Sequence, residues 1–256
     1  MSENNTQPVI EVKGLDKRFG PIHAVRGISF NLHKGEVLGF LGPNGAGKST
    51  TMKMITGFLE PSAGSVSVCN FDILENPIEA KKKIGYLPEG APLYGEMTVT
   101  AFLNFIADVR GMTGDSRYRR IEEVIEKINL QSVRQQTLET LSKGFKWRVG
   151  MAHAILHDPE ILIMDEPTDG LDPNQKHEVR SLIKEMASEK AIIISTHILE
   201  EVDAVCTRAM IIASGQLLYD GTPAELMQKS PTGKLEDVFR MITTEFYNAA
   251  GVTAQS

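Results

Sequence analysis

Apolar and polar residues alternate through residues 9–35, for example around Ile28 and Phe30. A period of two is typical of strands with one buried face. The alternation is interrupted at Gly20-Pro21 and at Lys34-Gly35, and these residue types favour turns. The N-terminal part of the chain is therefore predicted to form antiparallel strands.

The pattern changes in the rest of the chain, where short and largely apolar segments replace the alternation. They occupy residues 36–41, 161–165 and 191–195, and stretches with helical periodicity separate them. Buried apolar strands between helices are typical of a mostly parallel sheet covered on both faces. The predicted fold class is α/β, with a mostly parallel sheet, an N-terminal antiparallel β subdomain and an inserted α-helical subdomain at roughly 90–157.

The C-terminal tail, residues 231–256, is predicted to be helical. Its apolar residues recur at helical spacing, at Leu235, Val238, Phe239, Ile242 and Phe246. We expect this helix to pack on the domain that precedes it, residues 8–230. A contact with a second subunit is the alternative.

Composition and charge fit a soluble globular protein. The chain has 256 residues, of which 41% are hydrophobic and 23% are charged, and its formal net charge is −6. This acidic balance disfavours nucleic acid as a partner, because proteins that bind phosphate backbones usually carry a basic surface. The N-terminus lacks the pattern of a signal peptide, and no segment is apolar over the length of a bilayer. Any membrane role is therefore expected to depend on a partner.

The cysteines and two of the histidines are weak candidates for a metal site. Cys69 and Cys206 lack metal-ligand spacing and are expected to be thiols in a reducing compartment. His153 and His157 are four residues apart, but no third ligand accompanies them. We expect both histidines on a helix surface.

The strongest chemical signal is the segment GPNGAGKST, residues 42–50. It follows a predicted strand and precedes a predicted helix, which is the setting of a phosphate-binding P-loop and predicts a P-loop NTPase core. The glycines let backbone N–H groups face phosphate oxygens, Lys48 reaches the β- and γ-phosphates, and Ser49 offers its hydroxyl to Mg²⁺. We expect ATP to contact the whole loop, which consists of Gly42, Pro43, Asn44, Gly45, Ala46, Gly47, Lys48, Ser49 and Thr50.

Two carboxylates follow the apolar segment 161–164. Charge at the tip of a buried strand is costly unless a partner compensates it, and Mg²⁺ is a natural partner for Asp165. Glu166, the next residue, is predicted to polarise an attacking water as general base. Strand-end acids can also cap a helix, but their combination with the phosphate loop favours the catalytic role.

Three further segments follow the phosphate loop along the chain: LSKGFKWR at 141–148, TDGLDP at 168–173 and STHILEE at 195–201. With them the chain resembles the ATP-binding cassette (ABC) ATPases over nearly all of residues 8–225. LSKGFKWR is similar to the LSGGQ signature of this family. The order and spacing of all the elements together make the resemblance specific.

The resemblance implies that two subunits face each other head to tail and enclose two ATP molecules. The phosphate loop of one subunit then meets Ser142 and Gly144 of the other, at the start of a helix. Asp172 is implied to link the two sites. Phe19 is implied to stack on the adenine, and a place in the core is the alternative for it.

Other implied roles concern the triphosphate and the departures from the family pattern. His197 is implied to hydrogen-bond the γ-phosphate and to help orient Glu166, although a lone histidine is more often a core residue. Glu89 stands where the family generally has glutamine, so it can supply an oxygen to Mg²⁺ but adds negative charge. Lys143 and Phe145 replace a glycine and a glutamine of the signature, and the strength with which two subunits hold ATP is expected to change.

The predicted function is that of an ATP-binding and ATP-hydrolysing subunit of an ABC transporter. Its expected partners are a second ATPase subunit, as a homodimer, and a transmembrane permease that holds it at the cytoplasmic face of the membrane. Residues 87–94 and 235–239 resemble the branch of the family that powers export or gliding-type permeases, and an exporter is the expected partner. One alternative is a soluble ABC-type ATPase that remodels nucleic acid or ribosomes. Another is a module that binds ATP without turnover, which the presence of Lys48, Asp165, Glu166 and His197 disfavours.

Overall fold

The computed structural model describes residues 7–90, 92–230 and 232–250. Residues 231 and 251–256 of the predicted tail, and Ala91 in segment 87–94, lie outside the described residues. The strands, in chain order, are β1 (Ile10–Phe19), β2 (Ile22–Leu32), β3 (Val37–Leu41), β4 (Ala63–Val68), β5 (Phe71–Asp72), β6 (Ile84–Leu87), β7 (Ile161–Asp165), β8 (Ala191–Thr196), β9 (Arg208–Ala213) and β10 (Gln216–Gly221). The α-helices are α1 (Lys48–Ile55), α2 (Pro77–Lys82), α3 (Val99–Val109), α4 (Gly114–Lys127), α5 (Lys143–Ile155), α6 (Pro173–Ala187), α7 (Leu199–Val205), α8 (Pro223–Gln228) and α9 (Leu235–Ala250).

The strands form an antiparallel sheet and a mostly parallel one. The antiparallel sheet has the strand order β2-β1-β4-β5. The second sheet has the order β10-β9-β3-β8-β7-β6, in which β10 is antiparallel to β9 and the other neighbouring pairs are parallel. The predicted α/β fold with an N-terminal antiparallel β subdomain is confirmed.

The parallel sheet is covered on both faces, which explains why β3, β7 and β8 are buried along their whole length. Leu38 and Ile163 point toward the antiparallel sheet and pack in one hydrophobic cluster with Phe30. Val37 and Met164 belong to the opposite cluster, which contains the apolar residues of α3, α4 and α5. Side chains along each strand thus alternate between two cores, and both cores are apolar.

Helix α6 begins at Pro173, directly after Asp172. The side chain of Asp172 accepts hydrogen bonds from the amides of Asn174 (2.9 Å) and Gln175 (3.0 Å), which is a capping box. The hydrophobic pattern does not predict α2, α7 and α8. Each has only six or seven residues, too few to display a helical period.

His153 of α5 and His157, which follows the end of that helix, are both half-buried, so the prediction of an open helix surface is wrong. The ring of His153 packs against Phe102 with 5.9 Å between centroids. Nε2 of His157 lies 3.0 Å from the carbonyl of Ile84. Burial, together with the nearby charge of Arg110, lowers the pKa of both histidines to about 4. Both are therefore neutral at physiological pH.

The C-terminal helix packs on the body of its own chain. Leu235 and Val238 are buried in a small hydrophobic cluster with Leu41, Val202 and Leu226. Leu41 is the last residue of β3, directly before the phosphate loop. Among the described residues, none of the helices has the length and hydropathy to cross a bilayer.

Candidate nucleotide site

Sheet topology brings the separated sequence motifs to one edge. The phosphate loop follows β3, the two acids end β7, and His197 follows β8. These three strands are neighbours and parallel, with Leu41 opposite Thr196 and Asp165 opposite Ser195. The carboxyl ends of parallel strands form the usual ligand crevice of such sheets.

The phosphate loop is shaped to accept an anion. Gly47 has a φ of 105°, and a Cβ there would lie 2.6 Å from the carbonyl oxygen of Ala24, so only glycine fits. Gly47 is also the N-cap of α1 and provides no side-chain cap. The first amides of α1 are thus available to an anionic ligand, and the helix dipole favours one.

Lys48 is the principal cation of the loop, and it is only 5% exposed. Its ammonium donates hydrogen bonds to the carbonyls of Gly42 (2.7 Å) and Pro43 (3.3 Å). It also lies 3.4 Å from Oε1 of Glu166. A buried ammonium held beside a glycine-rich loop is suited to bind phosphate, because its charge is weakly screened there.

Ser49 and Asp165 meet as the sequence predicts. The Ser49 hydroxyl donates a hydrogen bond to Oδ1 of Asp165 at 3.1 Å. Two protein oxygens beside a phosphate loop fit Mg²⁺, which is usually completed by waters and substrate phosphates. The described residues contain no cluster of three or more His, Cys, Asp or Glu side chains that could hold a metal by themselves. The donor set therefore favours Mg²⁺ delivered with a nucleotide.

Glu166 occupies an unusual backbone conformation, with a φ of 49°. Its amide donates to the carbonyl (3.1 Å) and to the hydroxyl (3.2 Å) of Ser195 on the neighbouring strand. Its Oε2 accepts a hydrogen bond from Nδ1 of His197 at 2.9 Å. Strained backbone of this kind clusters at functional sites, and here it aims the carboxylate between Lys48 and His197.

Lys48, Ser49, Glu166 and His197 line one cavity of about 280 Å³, whereas Asp165 lines an adjoining one. Glu89 belongs to the wall of the 280 Å³ cavity, and the contact of this residue with the metal stays a prediction. The other lining residues are Ala24, the loop residues from Pro43 to Thr50, Glu166, Asp169 and His197. A second cavity of about 550 Å³ shares Glu89, Glu166 and Asp169 and continues toward Trp147 on α5.

Five predicted nucleotide contacts do not line the phosphate cavity: Phe19, Gly42, Ser142, Gly144 and Asp172. Ser142 caps α5, and its hydroxyl accepts a hydrogen bond from the amide of Phe145 at 3.4 Å. A Cβ on Gly144 would overlap the side-chain amide of Gln175, so the start of α5 packs closely on α6. Asp172 caps α6, and its role between two sites stays a prediction.

Phe19 lies at the end of β1, where 46% of it is exposed. The alternative that it belongs to the core is wrong. Nζ of Lys17 lies 5.2 Å from its ring centroid, an arrangement typical of a cation–π contact. The ring is accessible to a stacking partner, and its contact with adenine stays a prediction.

Sequence reasoning missed Ser195 and Asp169. Ser195 is fully buried; its hydroxyl donates to Oδ1 of Asp165 and accepts from the amide of Glu166, so it holds both acids in place. The position of Ser195 as a polar residue near the end of an apolar strand could have indicated its role. Asp169 lies within the segment TDGLDP, but that pattern alone does not predict that its side chain lines the phosphate cavity.

Comparison with known proteins adds independent support. A family model described as ABC transporter matches residues 25–169. The chain is 36% identical over 232 residues to the probable multidrug ABC transporter ATP-binding protein YbhF of Escherichia coli, covering 90% of this chain and 40% of YbhF. It thus spans less than half the length of that relative. It is 35% identical over 223 residues to the Nod factor export ATP-binding protein I of Burkholderia lata, covering 86% of this chain and 72% of that protein.

A solved structure of an ATP binding subunit of an ABC transporter shares the fold. The two chains superimpose with a TM-score of 0.83 at 29% identity, covering 92% of this chain and 99% of the other. The motifs, their meeting point at one sheet edge and these matches agree. The chain therefore belongs to the ABC transporter family, as an ATP-binding protein.

Proposed function

We propose that the chain is the ATP-hydrolysing motor subunit of a membrane transporter and that hydrolysis takes place in its phosphate cavity. The observation that supports this best is the arrangement of Lys48, Ser49, Glu166 and His197 around one 280 Å³ cavity. Asp165 lies beside it, in the adjoining 550 Å³ cavity, and accepts the hydrogen bond of Ser49. Binding, metal coordination and proton transfer each have a dedicated group there. A module that only binds ATP would not need the Glu166–His197 pair.

The binding step follows from the donors of the phosphate loop. The ammonium of Lys48 leaves the carbonyls of Gly42 and Pro43 and pairs with the β- and γ-phosphates, while loop amides hold the remaining oxygens. Ser49 and Asp165 hold Mg²⁺, and Glu89 adds an oxygen from the cavity wall. When bound, Mg²⁺ neutralises charge that develops on the phosphate oxygens.

The hydrolysis step uses the Glu166–His197 pair. The Glu166 carboxylate accepts a proton from the attacking water as the oxygen of that water bonds to the γ-phosphorus and the bond to the β-phosphate oxygen breaks. His197 donates a hydrogen bond through Nδ1, which orients the carboxylate, and its ring lines the cavity in which we place the γ-phosphate. Both groups stand within hydrogen-bond reach of each other, as a base and its orienting residue require.

Two copies complete the site in this proposal. Ser142 and Gly144 lie outside the phosphate cavity of their own subunit, although the exposed start of α5 carries a positive dipole end. A second, head-to-tail copy brings that helix end to the γ-phosphate. ATP then joins the two subunits, and its hydrolysis lets them separate.

We predict that ATP with Mg²⁺ doubles the molar mass of the Glu166→Gln variant, in which the nucleotide persists. Adding Ser142→Arg to this variant is expected to abolish the doubling, because a bulky cation then occupies the dimer contact. Size-exclusion chromatography with light scattering measures both results. The matched control is Ser116→Arg, an exposed serine in the first turn of α4, which should leave the dimer intact. A Ser142→Arg variant that still dimerises would rule out this contact.

The permease contact is proposed on the helical insertion, roughly 90–157. Phe105 and Val109 of α3 and Tyr94 in the loop before it are exposed and apolar, and we call these three residues the α3 strip. The rings of Tyr94 and Phe105 meet edge to face at 5.5 Å, and Val109 lies one turn beyond Phe105 on the same face. Contiguous exposed apolar residues are typical of a protein interface. The chain is thereby held at the cytoplasmic face of the membrane.

Val109→Glu is expected to abolish co-purification with the membrane permease, because it places a charge within the α3 strip. Val109 is 67% exposed, so the variant folds and keeps its ATP binding. Ile22→Glu is the matched control, since Ile22 is 64% exposed but lies on the antiparallel sheet. Affinity purification from detergent-solubilised membranes measures both variants. Recovery of the unaltered chain with ribosomes or DNA, and with no membrane protein, would overturn the transporter proposal.

Export is the proposed direction of transport. The segments 87–94 and 235–239 resemble the exporting branch, and a relative with 35% identity carries export in its name. Uptake and efflux assays with the permease in vesicles, once it has been identified by co-purification, decide the direction.

A further inference from the structure

Lys143 makes a contact that a glycine at the same place could not make. It is the first residue of α5, directly after the capping Ser142. Its ammonium reaches the loop that follows Glu166 and lies 3.5 Å from Oδ2 of Asp169. The side chain passes over Gly170, where a Cβ would overlap the ammonium. Gly170 has a φ of 64°, so glycine is favoured there on both grounds.

The acceptor of this ion pair belongs to the phosphate cavity. Asp169 lines that cavity with Glu89 and Glu166, so three carboxylates stand around the place of a triphosphate. Lys143 lines only the adjoining 550 Å³ cavity. The ion pair thus connects the start of α5 to the acidic wall of the subunit's own nucleotide site.

The ion pair between Lys143 and Asp169 is weak enough for Lys143 to exchange its acceptor. The side chains of Lys143 and Asp169 are 64% and 53% exposed, and ion pairs with such exposure are weak. The start of α5 is held separately, by the close approach of Gly144 to Gln175. The ammonium can therefore swing on its flexible four-carbon stem while the helix stays in place.

We propose that Lys143 is a charge switch at the dimer contact, an inference that rests on the proposed head-to-tail dimer. In the separate subunit its ammonium pairs with Asp169 of the same chain. When ATP joins two subunits, the ammonium leaves Asp169 and binds the γ-phosphate held by the second subunit. A triphosphate carries more charge than one carboxylate and is desolvated in the closed dimer, so it is the stronger acceptor.

Two consequences follow for the dimer. Asp169 competes with ATP for the ammonium, so it opposes closure. Lys143 contributes a full positive charge where a signature glycine offers only backbone groups, so it favours closure once it is released. The departure from the family pattern therefore makes dimer formation depend on an intramolecular carboxylate.

The test is the ATP-dependent dimer affinity of four proteins: Glu166→Gln alone, and Glu166→Gln with Asp169→Asn, with Lys143→Met, or with both. Asp169→Asn is expected to lower the dimer dissociation constant by about three- to fivefold, the upper end for an exposed ion pair. Lys143→Met is expected to raise it by about tenfold or more, as for loss of a charge-assisted contact. In the Lys143→Met background, Asp169→Asn should have a smaller effect, because the competing ammonium is gone and only the repulsion between Asp169 and the triphosphate is relieved. An equal effect in both backgrounds would refute the switch.

Sedimentation velocity with ATP and Mg²⁺ measures these constants, and thermal unfolding without nucleotide verifies that each variant is folded. Asp169→Ser serves as a second variant of the acceptor if Asp169→Asn is unstable. An unchanged or weakened dimer in both acceptor variants would refute the switch, as would a Lys143→Met variant with unaltered affinity. Failure of the Glu166→Gln parent to dimerise would refute the proposed dimer and the switch with it. A parent that dimerises while the variants do not differ refutes the switch alone.

Discussion

Glu166→Gln is expected to lower the rate of ATP hydrolysis by about 10²- to 10⁴-fold, the contribution typical of a general base. The amide cannot accept the proton of the attacking water. The backbone bonds from residue 166 to Ser195 do not involve the side chain, so the local structure is expected to persist. ATP affinity should stay within a few-fold of the unaltered protein. Steady-state phosphate release and equilibrium ATP binding measure the two effects.

The control for this variant is Glu89→Gln, which changes a second carboxylate of the same cavity in the same way. In our assignment Glu89 supplies only an oxygen near Mg²⁺, and a glutamine oxygen can replace it. The hydrolysis rate should therefore fall far less than in Glu166→Gln. Equal losses in both variants, or turnover by Glu166→Gln near the original rate, would show that Glu166 is not the base.

Lys48→Ala is expected to weaken ATP binding by about 100-fold or more, which corresponds to at least ~2.7 kcal/mol. The ammonium is the buried cation closest to the predicted phosphates, and its charge-assisted bonds to them cannot be replaced by water without loss. Its removal also leaves Glu166 without the cation 3.4 Å away, which adds repulsion toward the triphosphate. Hydrolysis should be undetectable. Isothermal titration calorimetry with ATP and Mg²⁺ measures the affinity.

Lys53→Ala is the matched control, because Lys53 lies on the same helix but is exposed. This variant loses an equal charge and side chain away from the cavity, so its affinity for ATP should change by less than about twofold. If Lys48→Ala and Lys53→Ala bind ATP equally well, the phosphate loop does not bind the triphosphate as proposed.

Much of this site could be predicted because its parts are local in sequence. The phosphate loop and the acid pair each show a complete pattern within ten residues, and the apolar segments around them identify strands whose ends must meet. The resemblance to a family then related these parts to Ser142 and His197. The same reasoning located α1, β7 and β8 within a residue or two.

What the sequence did not reveal depends on contacts between distant segments. The hydroxyl of Ser195 holds Asp165 and Glu166 from a neighbouring strand, and only the parallel register brings them together. The ion pair of Lys143 with Asp169 likewise joins two separate loops. His153 is predicted on a helix surface, but the ring of Phe102 on α3 packs against it. Tertiary packing determines these contacts and the burial of His153, and local sequence patterns do not predict it.

The left-handed backbone conformation at Glu166 serves catalysis but lowers the thermal stability of the fold. Glycine adopts this conformation without the cost that a side chain imposes, so the base is kept at the expense of some stability. Laboratory selection for survival at high temperature alone would therefore reward loss of the very carboxylate that turnover needs. Thermostable versions of this cassette should be sought by altering positions away from the end of β7, or by screening for retained activity in the same step.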